Sequence, residues 1–289
     1  MKKDTVVGVD IGGTKIHAAK VTGDNIEQSK RTLIAAKGDE KQVLQELIST
    51  IEEVFDSAVS GIGVGVPSIV DVEKGIVYDV QNIPSWKEVH LKQLLEERFQ
   101  VPVFINNDAN CFAIGEKHFG KGKDHENMIG LIVGTGMAGG IIIKNQLYNG
   151  YNCGSGEFGM IPYLEHNYEY YSSGQFFANQ YGTTGEKLFK SAIQGDSQAL
   201  KIFDEFGFHL ANAIIAVLYA YDPEIIILGG SVSKAYIFYK PALWKRLQHF
   251  AYSPTIGRLT IEVSENPNIA ILGAAALYYN ALKASKQKT

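Results

Sequence analysis

The sequence predicts an α/β protein built of two related halves. Two observations carry that expectation. An apolar run, a Gly/Thr turn and a second apolar run occupy residues 6–21, and the same design returns at 128–144. Elsewhere, short buried-type runs alternate with longer stretches whose apolar residues fall at helical spacing, as in sheets covered by helices. No close internal sequence repeat accompanies this repeated design, which implies two related domains facing one another.

The first pattern is the most informative. Val6-Val7-Gly8-Val9 reads as a buried strand that ends on Asp10, and Gly12-Gly13-Thr14-Lys15 follows at once. Residues 16–21 resume the apolar run, so the whole reads as a β-hairpin with the glycines near its turn. Glycines let a ligand approach the backbone, and turn N–H groups can form an anion-binding nest. Thr14 adds a hydroxyl and Lys15 a positive charge. Asp10 would repel phosphates unless a cation such as Mg²⁺ stood between them. The spacing is neither a Walker A loop nor G-x-G-x-x-G.

The remaining elements follow in order. Residues 40–58 carry Val43, Leu44, Leu47, Ile48, Ile51, Val54 and Phe55 at helical spacing. Residues 61–67 read as a second buried strand whose alternating glycines imply close approach by another backbone or a ligand. A weaker hairpin is expected over 72–80, around Lys74-Gly75, and a short helix over 91–99. A strand over 101–105 runs into Asn106-Asn107-Asp108-Ala109-Asn110, which places Asp108 at or next to a helix N-terminus, where the dipole favours a carboxylate. Residues 120–124 read as an exposed loop and a domain crossing. A strand at 128–133 leads into Gly134-Thr135-Gly136 and a returning strand at 141–144. Residues 149–171 are polar, aromatic and glycine-rich. A long helix is expected over 197–221, a strand over 224–228 closed by Gly229-Gly230, a stretch over 236–250 that is mostly helical after Pro241, a strand over 259–263, and a last helix over 270–282 whose small residues permit tight packing.

Composition excludes several classes. The chain has 289 residues, of which 45% are apolar, so a sizeable core is available. A formal net charge of −4 leaves no electrostatic footprint for nucleic acid. The short basic tail at 283–288 reads as a solvated end. Cys111 and Cys153 form neither a disulfide framework nor a C-x-x-C clip. No apolar run reaches the roughly 18–20 residues of a membrane span, and no signal-peptide pattern appears. A cytoplasmic protein without membrane partners is expected.

In this order and at these spacings, Asp10 to Lys15, Gly65-Val66-Pro67, 106–110, Gly134-Thr135-Gly136, Gly156-Glu157-Phe158-Gly159 and Ile227-Leu228-Gly229-Gly230 make the chain resemble the sugar kinases of the actin, hexokinase and heat-shock ATPase superfamily. Within it, the chain resembles the ROK family over nearly its whole length. The resemblance implies a two-domain actin-like (ribonuclease H-like) α/β fold with an interdomain cleft. The expected domains are 1–118 plus 270–289, and 119–269. It also implies ATP and Mg²⁺. Asp10, Gly12, Gly13, Thr14 and Lys15 would hold phosphates from one side, with Asp10 reaching Mg²⁺ through water or phosphate. Gly134, Thr135 and Gly136 would hold them from the other, and Gly229 and Gly230 would lie against the adenosine. Asp108 would be the general base. Gly65, Asn107, Glu157 and Glu169 would bind the sugar with it. A homodimer is the expected assembly.

One departure from the family pattern stands out. Where many members carry a zinc-binding His and a cysteine-rich run, this chain has Met160, and no cysteine follows through Glu169. Zinc needs about four ligands, so no zinc site is expected. Packing by Pro162, Tyr163, Tyr168, Tyr170 and Tyr171 should hold that loop instead. Glucokinase activity at O6 is the default expectation, with N-acetylmannosamine kinase and β-glucoside kinase as alternatives. A sugar-sensing ROK regulator would need a helix-turn-helix ahead of the first glycine motif, and nine residues precede Asp10, so that reading is disfavoured.

Overall fold

The computed structural model describes residues 4–35, 37–80 and 82–287, with side chains as far as Leu282. The basic run at 283–288 therefore lies outside the described side chains. Two compact units emerge: Met1–Asp124 with Gly140–Ser155 and Asn266–Thr289, and His125–Gly139 with Gly156–Glu265.

The first unit contains β1 (Thr5–Ile11), β2 (Lys15–Thr22), β3 (Asn25–Leu33), α1 (Glu40–Glu52), β4 (Val59–Val66), the small strands β5 (Ile69–Asp71), β6 (Ile76–Tyr78) and β7 (Glu88–Val89), α2 (Leu91–Phe99), β8 (Val103–Asn107) and α3 (Asp108–Phe119). Its sheet runs β3-β2-β1-β4-β8. β2 lies antiparallel to β1 and β3, whereas β1, β4 and β8 are parallel. Alternation along β1 sorts its side chains. Val7, Val9 and Ile11 join a core with Val43, Leu47 and Ile51 of α1 and with Leu91 and Leu95 of α2. Val6 faces the other way.

The exposed strand β3 was not foreseen. Its sequence is mostly polar and its residues are largely exposed, so it carries no core alternation, and pairing with β2 alone defines it. α1 ends earlier than the apolar spacing implied. Val54 N bonds Ile51 O, and Asp56 takes the Ala58 N–H in a local turn that competes with further helix.

β9 (Met128–Val133), β10 (Met137–Ile143) and β11 (Gln146–Tyr148) begin the second sheet. There follow β12 (Pro162–Tyr163), β13 (His166–Asn167), α4 (Tyr168–Ser172), α5 (Gly174–Tyr181), α6 (Gly185–Ile193), α7 (Ser197–Tyr221), β14 (Ile225–Gly229), α8 (Tyr236–Leu247), α9 (Ser253–Arg258) and β15 (Thr260–Val263), and α10 (Ile269–Gln287) completes the chain. The second sheet runs β11-β10-β9-β14-β15, the same three-strand meander plus two parallel strands as the first. α7 is long and apolar enough to cross a membrane by length and composition, yet its apolar face is buried core packed along α8. Pro241 lies inside α8 rather than at its start. The lost backbone bond is tolerated there because Tyr239, Leu243 and Leu247 anchor the helix in the core.

α10 returns to the first unit and covers the Val6 face of its sheet, with Ile271, Leu272 and Ala275 in that core. Here the glycines predicted to permit close approach do so. A Cβ on Gly63 would stand 1.8 Å from the Ala274 carbonyl oxygen, and one on Gly273 would stand 1.8 Å from that of Cys111. The neighbour that needed this room is helix backbone, which lets α10 lie directly on β4 and on α3.

Candidate active site

Three parallel strands of the first unit end side by side. Register pairs Asp10 with Gly65 across β1 and β4, and Gly65 with Asn106 across β4 and β8. Asp10, Gly65 and the Asn106-Asn107-Asp108 run thus share one sheet edge, the carboxyl edge at which α/β sheets bind ligands.

Asp10 is half-buried, and burial raises its carboxyl above the ordinary aspartate range while the Lys15 charge opposes the rise. Its register partner on β2 is His17, whose pKa is pushed down to about 4, by burial first and then by Arg31 and Lys15. His17 is therefore neutral near pH 7 and brings Asp10 no compensating charge. After Asp10 the hairpin turns tightly. Gly12 N donates to Lys15 O at 2.9 Å, and Ile34 N donates to Thr14 O at 3.0 Å. Thr14 and Lys15 are exposed at the turn. Gly13 is required by Asn82, whose Cβ would lie 2.7 Å from a Cβ at that position. Sequence reasoning passed over Asn82, since nothing local marks its contact with a turn so far along the chain.

Gly65 makes room for a neighbour in the same way, since its Cβ would lie 3.1 Å from Cys111 Sγ. That thiol is pushed well up, by burial first and then by the nearby Asp108, Asp10 and Cys153, so it is not an activated nucleophile. Asn107 is the N-cap of α3. Its Oδ1 accepts from Ala109 N at 2.8 Å and its Nδ2 donates to Ser68 O at 3.3 Å. Asp108 is the first residue of the helix, half-buried, with Oδ1 accepting from Ala109 N at 2.8 Å. Behind this junction Asn106 Oδ1 accepts from Asn110 Nδ2 at 2.9 Å and from Cys153 Sγ at 3.3 Å, and Asn106 Nδ2 donates to Asn149 Oδ1 at 2.9 Å. This buried network fixes the strand-to-helix corner from which Asp108 projects.

The second unit holds the other predicted residues. Its glycine turn closes with Gly134 N donating to Gly136 O at 2.9 Å. The 169–174 segment clamps it. Gly174 N donates to Gly134 O at 2.6 Å, Ser173 Oγ donates to Thr135 O at 3.0 Å, and Glu169 Oε2 accepts from Met137 N at 3.0 Å. Glu169 Oε1 accepts from Gln175 Nε2 at 2.8 Å, so the carboxylate ties the turn to α5. Glu157 is exposed at its surface yet hemmed in enough that burial, and then the like charge of Glu169, raise its pKa.

A cavity of about 510 Å³ opens beside this turn, lined by Thr135, Gln175, Phe177, Thr184, Phe203 and Lys234 among others. Gly229 ends β14, and Gly230 follows at φ +85°, with a Cβ there falling 2.3 Å from Val133 O. That left-handed step, open to glycine at little cost, delivers Ser231 and Val232 to the cavity wall. The α5 and α6 residues of the wall were missed by sequence reasoning. Gly182-Thr183-Thr184-Gly185 was the available signal, with Thr184 capping α6.

The loop that follows Met160 is held by aromatic packing. β12 pairs with β13; Tyr163 stacks on Tyr168 with centroids 4.6 Å apart, and His166 stacks on Tyr170 at 3.9 Å. The Tyr163 hydroxyl bonds His209 Nδ1 and accepts from Asn212 Nδ2, both at 3.1 Å. Those partners are side chains of α7. Among the described residues, no three His, Cys, Asp or Glu side chains converge as a metal site.

The ROK family model matches residues 6–281. The chain belongs to the ROK family. Its two mixed five-stranded sheets are that family's two-domain, actin-like α/β fold. The chain is 31% identical to the glucokinase of Thermotoga maritima over 313 aligned residues, covering 96% of this chain and 98% of that enzyme. It is 28% identical to the β-glucoside kinase of Listeria innocua, covering 93% and 95%. Among solved structures it is similar to a ROK family glucokinase from Streptomyces griseus in complex with glucose and AMPPNP. The TM-score is 0.78 and the identity 27%, covering 94% of this chain and 98% of that one. Of the residues singled out in the sequence, Asp10 and Asp108 lie in the first unit, and Gly134 to Gly136, Glu157, Glu169 and Gly229-Gly230 lie in the second.

Proposed function

We propose that this ROK protein is an ATP- and Mg²⁺-dependent sugar kinase that phosphorylates a hexose hydroxyl, glucose O6 before others, with Asp108 as general base. The observation that carries the reading is the shared strand edge, with Asp10 on β1 and Asp108 directly after β8, the two strands that flank β4. One carboxylate there has the setting for a cation, and the other opens a helix with its carboxylate half in solvent. Similarity to two curated sugar kinases supports it.

Asp108 accepts the sugar hydroxyl's proton late. A carboxylate cannot deprotonate an alcohol much in advance, and a loose phosphoryl-transfer transition state does not require it to. The oxygen–phosphorus bond to the sugar forms as the γ-phosphorus leaves the bridging oxygen of ADP, and the hydroxyl proton passes to Asp108. Asn107, fixed by Ser68 and by its own cap, orients the sugar beside it, and Gly65, Glu157 and Glu169 complete the proposed sugar contacts. Asp10 fits a Mg²⁺ site because it is a half-buried carboxylate with a neutral histidine opposite and Lys15 nearby. When bound, the ion supplies neutralisation of phosphate charge. The 510 Å³ cavity fits the nucleoside: its volume lies in the usual ligand range, with apolar faces from Phe177 and Phe203 and polar groups from Thr135, Gln175 and Lys234. The turns at Gly12 to Lys15 and Gly134 to Gly136 would meet phosphates through N–H groups other than those of Gly12 and Gly134, which close the turns themselves. We place the enzyme in the cytoplasm as a homodimer.

A β-glucoside kinase is the second substrate reading, favoured by the Listeria relative. The test is sugar-dependent ADP release over hexoses, N-acetylhexosamines and β-glucosides. Turnover that requires both sugar and Mg²⁺ is expected. No ADP with any of them would overturn the kinase reading and leave a sugar-sensing regulator.

A further inference from the structure

The 510 Å³ cavity of the second unit holds one polar side chain whose orientation its neighbours dictate. Gln175 is the second residue of α5, half-buried, and lines that cavity. Its Nε2 donates to Glu169 Oε1 at 2.8 Å. A carboxylate can only accept, so the amide nitrogen must face Glu169, and the two ends of the group cannot be exchanged. Glu169 is itself fixed, since its Oε2 accepts from Met137 N at 3.0 Å. The carbonyl oxygen of the Gln175 amide, Oε1, is thus the atom left for the cavity, and among the described residues nothing donates to it.

Other polar side chains on the wall are engaged differently. Thr184 caps α6, its hydroxyl oxygen accepting from Lys187 N at 3.3 Å. Glu186 is exposed and paired with Lys190 at 2.7 Å. Lys234 is a cation and can only donate. Gln175 therefore supplies the cavity with an acceptor aimed by a carboxylate that the glycine turn itself holds in place.

Its place along α5 selects the ligand group. The preceding residue, Gly174, touches the turn: its N donates to Gly134 O at 2.6 Å, and a Cβ there would stand 2.8 Å from the same oxygen. Phe177 and Ala178 line the cavity further along the helix, and Thr183 to Gly185 line it beyond the helix end. The eight residues of α5 rise about 12 Å, so phosphate, ribose and base can be laid along it in that order. Phosphate oxygens are acceptors and would be repelled by a carbonyl oxygen. The base belongs with the apolar faces of Phe177 and Phe203. The ribose hydroxyls are the donors that fall between.

We propose that Gln175 reads the ribose of the nucleotide, its Oε1 accepting from the 2′- or 3′-hydroxyl, so that this residue sets the preference for ribonucleotides over deoxyribonucleotides. The proposal rests on the ATP reading above. It is tested by calorimetric titration of ADP, 2′-deoxy-ADP, 3′-deoxy-ADP and IDP, whose base lacks the amino group, into wild type, Gln175→Met and Gln175→Lys. Gln175→Met removes both ends of the amide, whereas Gln175→Lys keeps a donor for Glu169 and removes the acceptor. Wild type should bind ADP about tenfold more tightly than at least one deoxy analogue, the scale of one hydrogen bond lost from a half-buried site. Both variants should bring that ratio to within about twofold of unity. Equal affinity of wild type for ADP and both deoxy analogues would overturn the proposal. So would a wild-type ratio in both variants, or a uniform loss in both up to abolition of binding. Collapse of the ratio in Gln175→Met alone would assign the effect to the lost Glu169 bond and overturn it as well. A variant effect confined to the ADP-to-IDP ratio would move the acceptor to the base and overturn the ribose assignment. Absence of binding of every nucleotide to wild type would overturn the ATP reading itself, and this assignment with it.

Discussion

The glycine turns at 12–14 and 134–136 occupy equivalent places in two sheets of the same strand order, yet they are held by different means. The first is held by its own hairpin, by Ile34 on Thr14, and by Asn82 against Gly13. The second is held by a distant loop, through Glu169, Ser173 and Gly174. A repeated backbone device therefore does not imply repeated support. In the second unit an acid, Glu169, is itself part of the turn's support.

The sharpest form of this contrast is a difference in what acid removal does. Asp108→Asn keeps shape and most hydrogen bonding but loses the proton acceptor. We expect kcat to fall about 10²–10⁴-fold, with sugar KM changed little. Turnover within a few-fold of wild type would reject Asp108 as the base.

Glu169→Ala should act on structure before chemistry. It strips acceptors from Met137 N and Gln175 Nε2, and an unmade buried hydrogen bond costs about 1–3 kcal/mol. Denaturant titration should show that loss, and ATP KM should rise at least as much as sugar KM. A rise confined to the sugar, with stability unchanged, would leave Glu169 its proposed sugar contact and reject its role in holding the turn.

Asp10→Asn sharpens the comparison from the opposite direction. Burial raises the folded-state pKa of Asp10. The folded chain then retains a proton where the unfolded chain has lost it, so stability falls as pH rises from the ordinary carboxylate range through the raised value. The neutral amide escapes this cost. Calorimetry should find Tm raised by roughly 1–4 °C at pH 7.5, a difference that shrinks at pH 4, together with loss of activity. A Tm lowered at pH 7.5 would show that the Lys15 charge outweighs burial.

The smallest effect is expected at the loop after Met160. Tyr163, Tyr168, Tyr170 and Tyr171 pack there with His166 and His209. Dialysed protein should keep its activity in a zinc chelator with Mg²⁺ in excess, and elemental analysis should find well under one zinc per chain. Stoichiometric zinc with chelator inactivation that zinc reverses would show a metal clip where packing is proposed.

Strands with strong β-branched runs and helices with long apolar faces were legible in the residues, because burial imposes periods of 2 and 3.6 on them. β1, β4, α2 and α7 belong to this group. So does the corner at Asn107 and Asp108, since capping chemistry acts within a few residues. β3, α5 and α6 were not legible, nor were Asn82 beside Gly13 and Glu169 on the turn. β3 has no hydrophobic signature of its own and exists through its partner strand. The Asn82 and Glu169 contacts join residues far apart in sequence, about which local propensity carries no information. The sequence by itself determined where the chain turns on glycine and where its acids follow strands. The tertiary structure alone decided what each glycine makes room for and which acids are spent on holding the fold, because close approach and pairing over long separations arise only when the sheets are assembled.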